Sequence, residues 1–201
     1  MIVYRNNDYV IINKPARMDG EKGAVAALEA ELGQTVYPVH RLDKPARGLM
    51  VFALNQKMAA DLSEQMREHG FAKEYLLLCE GEFAQEEGQM EDLLFFDRQR
   101  VKSYVVERKR AGVKEAALAY RVLEQKDGLA KVRVYLHTGR THQIRVQFAS
   151  RNHPLLGDRS YGSRIAYDGI ALYSCLLSFN YAGDRVTYEL IPEGFGGKDD
   201  A

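Results

Sequence analysis

Apolar residues recur along this chain with two different periods, and each period marks a different kind of element. Strict alternation appears in the second half. Leu118, Tyr120 and Val122 share one face, Ala117, Ala119 and Arg121 the other, and Val132, Val134 and Leu136 repeat the pattern. Successive side chains leave a strand on opposite sides, so both segments are predicted strands with one buried face. Asp127-Gly128 joins them as a hairpin turn, and Ala182-Gly183-Asp184 likewise separates the strand-like segments 171–181 and 185–191. Shorter apolar runs at 9–12, 49–53 and 75–79 read as further strands. A helical spacing runs through 56–69, where Met58, Leu62 and Met66 fall on one face; Asn55 is its N-cap and Gly70 its stop. Two more helices are expected, 24–32 ended by Gly33, and 141–151 with Thr141 as cap and Pro154 beyond its end. Hairpins imply antiparallel pairing. The pattern predicts an α+β fold, a mainly antiparallel sheet flanked by helices, with a cleft lined by loops.

Length changes this picture little. A chain of 201 residues suits one domain, expected here over 1–193, with a Gly- and Asp-rich tail at 194–201 expected to fray. No apolar run approaches the roughly 18 residues of a membrane helix, and no basic start precedes an apolar signal core, so a cytoplasmic protein is expected. Cys79 and Cys175 each sit in an apolar run without C-x-x-C spacing, which reads as two buried, inert thiols.

Net charge is zero, yet the charge is unevenly spread. Residues 80–92 hold Glu80, Glu82, Glu86, Glu87, Glu91 and Asp92 and no base, whereas 98–114 hold Arg98, Arg100, Lys102, Arg108, Lys109, Arg110 and Lys114. A second basic region contains Arg133, Arg140, Arg145, Arg151, Arg159 and Arg164 against the single acid Asp158. Local excesses of this kind suit a phosphate backbone, although short charge runs also occur as solvated faces.

Candidate chemistry sits in two segments. In His40-Arg41-Leu42-Asp43-Lys44-Pro45-Ala46-Arg47-Gly48 one carboxylate lies among three cations that favour its ionised form; it is either a reactive group or one half of an ordinary loop ion pair. His137-Thr138-Gly139-Arg140-Thr141-His142-Gln143-Ile144-Arg145 packs two arginines, two histidines and a glutamine into nine positions, more polar side chains than a core uses. His40, His142 and His153 do not read as metal ligands, because arginines adjoin two of them and no carboxylate pair has ligand spacing.

With Lys73-Glu74-Tyr75 between them, these segments resemble the HRLD, K-x-Y and GRTHQ-x-R motifs of the RluA-type pseudouridine synthases, in the same order. Asn13-Lys14-Pro15-Ala16 is similar to the family's early "NKP" segment, and His153-Pro154-Leu155-Leu156-Gly157-Asp158 with Tyr161-Gly162 to its "HPI-GD-YG" segment. The resemblance spans residues 9–162. It implies a long bent sheet with the catalytic aspartate in a central cleft, and a stand-alone catalytic domain without the small RNA-binding module many relatives carry in front. It also implies a reaction. A uridine in ribosomal or transfer RNA loses its C1′–N1 bond, the uracil turns while bound, and C5 joins C1′, with no metal and no organic cofactor. Asp43 would be the indispensable carboxylate, attacking C1′ or removing a sugar proton. Tyr75 would stack on the flipped base, and Arg145 would hold Asp43, with Arg140 as the other candidate. Lys14, His40, Arg41, Lys44, Arg47, Lys73, Arg140, Thr141, His142 and Gln143 would contact RNA. The protein is expected to act as a monomer, and family frequency leans towards ribosomal RNA.

The chain departs from the family pattern at Lys44-Pro45-Ala46-Arg47 after HRLD, and at Leu172-Tyr173-Ser174 where relatives have Leu-His-Ala. The first change bears on which RNA is accepted, the second on support of the sugar pocket. A rival reading is an RNA chaperone that retains the fold without catalysis; a nuclease or glycosidase would need metal ligands or a second catalytic carboxylate.

Overall fold

A computed structural model describes residues 1–193 and 195, so the tail expected at 194–201 lies outside the described residues apart from Phe195. In chain order the elements are β1 (Ile2–Arg5), β2 (Tyr9–Lys14), α1 (Lys22–Leu32), β3 (Tyr37–Pro38), β4 (Arg47–Ala53), α2 (Gln56–Arg67) and β5 (Ala72–Glu80). There follow β6 (Glu87–Asp97), β7 (Lys102–Val106), β8 (Val113–Lys126), β9 (Leu129–Leu136), α3 (Gln143–Ala149), β10 (Leu172–Tyr181) and β11 (Asp184–Glu189). The composition is mixed α+β, as the sequence pattern predicts. The chain packs as two compact units, one of residues 1–73 and 173–192, the other of 74–172 with 193 and 195.

In the first unit β2 pairs antiparallel with β1 and along its whole length with β4, from Tyr9 opposite Ala53 to Lys14 opposite Gly48. β2 and β4 are buried on both faces, and on one of them Tyr9, Ile11, Leu49 and Val51 share a core with Met58 and Leu62 of α2, so the methionine at the start of that helix is core. Asn55 caps α2 as its sequence position predicts, its Oδ1 accepting the Met58 amide at 2.9 Å. The stop differs. His69 (φ 60°) takes the left-handed position assigned to Gly70, and the Gly70 amide closes back on the Gln65 carbonyl at 2.8 Å.

β4 also pairs with β10, this time in parallel, Gly48 opposite Ser174. Gly48 has φ 117°, and a Cβ there would stand 2.4 Å from the Ser174 carbonyl oxygen, so only glycine lets the chain leave the Asp43 loop and enter the sheet. β11 folds back on β10 as the predicted hairpin.

The second unit is an antiparallel series β5-β9-β8-β6-β7. Asp127 and Gly128 both have positive φ (55° and 74°), the geometry of a tight hairpin turn that matches strand twist. Sequence periodicity does not mark β6 and β7: four consecutive apolar residues, 93–96, break the alternation of β6, in β7 the polar Ser103 is buried while Val105 is exposed, and few of their side chains are buried. α3 is shorter than expected, Gln143–Ala149 in place of 141–151, and it starts without a side-chain cap. His142, left-handed at φ 55°, occupies the cap position expected for Thr141, whose carbonyl instead accepts the Ser103 hydroxyl at 2.6 Å. Both cysteines are buried, and burial pushes the Cys79 thiol up to about 12, so it stays protonated and inert. No helix of the described residues is long and apolar enough to cross a membrane.

Candidate active site

In the first unit the Asp43 loop runs between β3 and β4. Leu42 and Ala46 are buried and anchor it on either side, while Asp43 between them is half-buried. The Ala46 amide donates to the Asp43 carbonyl at 3.0 Å, closing a turn over Lys44-Pro45. A Cβ at Gly20 would lie 2.4 Å from the Leu42 carbonyl oxygen, so the segment after "NKP" presses directly on the backbone beside Asp43.

Lys14 ends β2 beneath this loop and is fully buried. Its ammonium donates to the carbonyls of Pro15 at 2.9 Å, Met18 at 3.0 Å and Lys44 at 3.3 Å. The Lys44 carbonyl also accepts the Arg17 amide at 2.8 Å. Burial drives the Lys14 ammonium down to about 8, against the opposing pull of the Asp43 and Asp19 charges. The expected phosphate contact is thereby corrected: with its three protons on backbone carbonyls inside the fold, Lys14 cannot meet RNA and instead braces the Asp43 turn.

His40 is corrected likewise. Its Nε2 accepts the Val51 amide at 3.1 Å, and burial, with Lys73 adding to it, lowers its pKa to about 3. The ring is therefore a neutral brace between the loop and β4, not a cation for RNA. Its Nδ1 is buried without a hydrogen-bond partner in the described structure. Lys73 is partly buried with its ammonium 5.9 Å over the Phe71 ring, and burial lowers its pKa. Arg41 and Lys44 remain exposed and Arg47 is half-buried. Tyr173 is buried; burial pushes its phenol up to about 12 although a hydrogen bond with Asn13 opposes this, tying β10 to the "NKP" segment.

In the second unit Tyr75 lies on β5 opposite Val134 of β9, only 7% exposed. The basic motif forms the turn from β9 into α3, and Gln143 organises it. The Gln143 carbonyl oxygen accepts the Thr138 hydroxyl at 2.8 Å and the Arg140 amide at 2.9 Å, while its Nε2 donates to the Ala117 carbonyl at 3.1 Å. Gln143 is 3% exposed with its amide spent on the protein, which corrects its expected contact with RNA. Thr141 is half-buried. His142 is half-buried too, its Nδ1 3.1 Å from the Tyr161 hydroxyl. Arg140 directs its Nε to the Glu115 carbonyl at 2.8 Å.

Arg145 projects from the first turn of α3 into the interior. Asp158, buried to 1%, takes its Nε at 2.7 Å and its Nη2 at 3.0 Å, and the guanidinium lies 4.9 Å over the Tyr161 ring. Asp158 reads from sequence as a turn residue. The one signal for its partnership is that it is the sole acid in the basic stretch. Arg133 pairs with Glu74 at 2.6 Å and Arg151 with Asp92 at 2.9 Å, so half of that stretch's arginines serve internal carboxylates. Among the described residues no group of three or more His, Cys, Asp or Glu side chains could hold a metal.

The family model described as RNA pseudouridylate synthase matches residues 8–150. The chain is similar to tRNA pseudouridine synthase C of Haemophilus ducreyi, 33% identical over 181 residues that cover 80% of this chain and 73% of that protein. It is also similar to ribosomal large subunit pseudouridine synthase D of Pasteurella multocida, 34% identical over 179 residues, 81% of this chain and 53% of that one. The chain thus spans about half the length of the ribosomal relative. Human RNA pseudouridylate synthase domain containing 1 superposes with a TM-score of 0.81 over 94% of this chain and 82% of that chain, at 23% identity, a likeness of fold.

Proposed function

The chain belongs to the RNA pseudouridylate synthase family, and on that premise we propose that it isomerises a uridine of transfer RNA with Asp43 as its reactive carboxylate. As an enzyme it is an RNA pseudouridine synthase, an isomerase that binds and modifies RNA. Transfer RNA is put ahead of ribosomal RNA because the similarity to the tRNA enzyme runs through 73% of that protein, against 53% for the ribosomal one.

The observation that carries the role of Asp43 is the brace beneath it: a buried ammonium and a backbone amide both grip the Lys44 carbonyl, so the carboxylate sits on a turn that cannot drift. Held geometry of this kind is what a reaction at one ribose carbon requires. In the proposed reaction Asp43 either attacks C1′ or removes a sugar proton as the C1′–N1 bond breaks; C5 then bonds to C1′, displacing the carboxylate in the first route and with Asp43 returning the sugar proton in the second, and the C5 proton leaves to solvent while N1 gains one. Tyr75 stacks on the extruded uracil, and Arg145 holds the Asp43 carboxylate in place. The exposed Arg41 and Lys44, with Arg47, Lys73, Arg140, Thr141 and His142, contact RNA. Both units act as one catalytic domain, as a monomer in the cytoplasm. A chaperone that keeps the fold without chemistry is not favoured, since the carboxylate, the tyrosine and the arginine of the family motifs are all present.

The test is tritium release from transfer RNA and from ribosomal RNA labelled at uridine C5, with wild type and Asp43→Asn. Release by wild type from transfer RNA, and none by the variant, is the expected result. Equal release by both would overturn the role of Asp43, and release from ribosomal RNA alone would overturn the substrate.

A further inference from the structure

Within the basic run 98–114 four cations have partners of their own. Arg100 lies near Asp97 at 3.9 Å, Lys102 over the rings of Tyr104 and Tyr161 at 5.7 and 4.9 Å, and Arg110 over Phe95 at 4.8 Å. Lys109 is paired with Glu115. These four cations are held within the second unit.

Arg98 and Lys114 belong to neither kind of contact. They line a groove of about 800 Å³ between the β6–β7 turn and the basic motif, and Arg140 joins them from the motif side. Arg140 is oriented by the Glu115 backbone carbonyl, and the Glu115 carboxylate, itself paired with Lys109, feels its charge. Asp97 is the one acid on the wall, and Arg100 already faces it. Phe95 and Phe96 supply ring surface, with the His142 ring 6.1 Å from that of Phe96. The volume lies within the roughly 300–1,000 Å³ of ligand clefts. Cations spaced along a groove with aromatic rings between them fit a single nucleic-acid strand, phosphates to the cations and base faces to the rings.

We propose that this groove binds a single-stranded stretch of the substrate RNA at nucleotides other than the target uridine, with Arg98, Lys114 and Arg140 contacting phosphates. The proposal rests on the reading of the chain as an RNA pseudouridine synthase. It gives this chain a substrate contact outside the family motifs, since Arg98 and Lys114 lie in none of them.

The test compares the double variant Arg98→Gln/Lys114→Gln with Lys57→Gln/Lys126→Gln, which removes equal charge from exposed positions elsewhere. Tritium release from transfer RNA gives kcat and KM; anisotropy of a short fluorescein-labelled single-stranded RNA of mixed sequence gives Kd across a salt series. The groove variant should keep kcat, raise KM and Kd roughly ten-fold, and lower the slope of log K against log salt by about 1.4, or about 0.7 for each lost phosphate contact. A groove variant whose KM, Kd and slope match those of the control overturns the proposal. Absence of tritium release by wild type would count against the synthase reading alone, and the oligonucleotide arm would still decide the groove.

Discussion

Asp158 grips Arg145 with both carboxylate oxygens, Nε to Oδ2 at 2.7 Å and Nη2 to Oδ1 at 3.0 Å, and both side chains are almost wholly buried. Two parallel bonds fix the plane of the guanidinium as well as its position, which a single contact or a lysine could not do.

Removing one partner of such a pair strands the other charge in the interior. Asp158→Ala is therefore expected to cost about 3–5 kcal/mol, a fall in Tm on the order of 10 °C, together with most of kcat. Replacing both, as Arg145→Met/Asp158→Leu, should recover much of the stability while activity stays lost. Thermal melts beside tritium release check both statements; a double variant no more stable than the single one would show that the pair is not the cause.

Lys14 gives activity and stability opposite pH slopes. Its folded pKa, about 8, lies below the ordinary lysine value of 10.5, so between those limits the unfolded chain binds more protons than the folded one. Stability contributed through Lys14 therefore rises as pH climbs through that window, by up to about 1.4 kcal/mol per pH unit. Activity should fall over the same range, because the neutral amine has two protons for three carbonyls and no longer attracts Asp43. Lys14→Met should flatten both slopes and lower kcat at neutral pH. Urea unfolding and initial rates at pH 7 to 10 check this; parallel slopes for wild type and variant would remove Lys14 from the account.

How much of this was legible in the sequence depends on what each residue's neighbours reveal. The cap at Asn55, the core methionine Met58 and the Asp127-Gly128 turn follow from local spacing, and the structure has all three. Strands β6 and β7 are hidden, because the apolar run 93–96 and the exposed Val105 break the period and only Met90, Leu94 and Ser103 among their residues are buried. At the site the motif residues stand out, yet Lys14, His40 and Gln143, expected to contact RNA, hydrogen-bond within the protein. Polar character in a motif says that a side chain needs partners, and not whether those partners are phosphates or the protein's own carbonyls and amides. Asp158 reads as no more than a turn residue for the converse reason: its partner Arg145 is thirteen residues away and the pairing is tertiary.

The neutral state of His40 makes an acid-side prediction. Its pKa falls from 6.5 to about 3 on folding, so between these values the unfolded chain takes up a proton that the folded chain refuses. Stability is full above about 6.5 and is lost as pH falls below it, amounting to about 2 kcal/mol by pH 5. His40→Phe should be less stable than wild type at pH 7, where it leaves the Val51 amide without its acceptor, yet lose less on going to pH 5. Urea midpoints of the two proteins at those pH values decide it; equal losses would mean that His40 is protonated in the folded state.

Tyr161 connects the β6–β7 hairpin to Arg145. Its hydroxyl accepts the Ser103 amide at 2.8 Å and donates to the Ser103 carbonyl at 3.2 Å, while its ring lies under Arg145 and Lys102. Tyr161→Phe keeps the ring and both cations over it but leaves the buried Ser103 amide without its acceptor, a cost of about 1–3 kcal/mol. The loss falls on the hairpin and not on the Arg145–Asp158 pair, whose bonds do not involve the hydroxyl. KM for RNA should therefore rise several-fold while kcat changes little, and Tyr161→Leu, which also removes the surface beneath Arg145, should lower kcat as well. If Tyr161→Phe lowered kcat as far as Tyr161→Leu does, the hydroxyl, through its contact with His142 Nδ1, would be acting on the arginine side of the ring rather than on the hairpin.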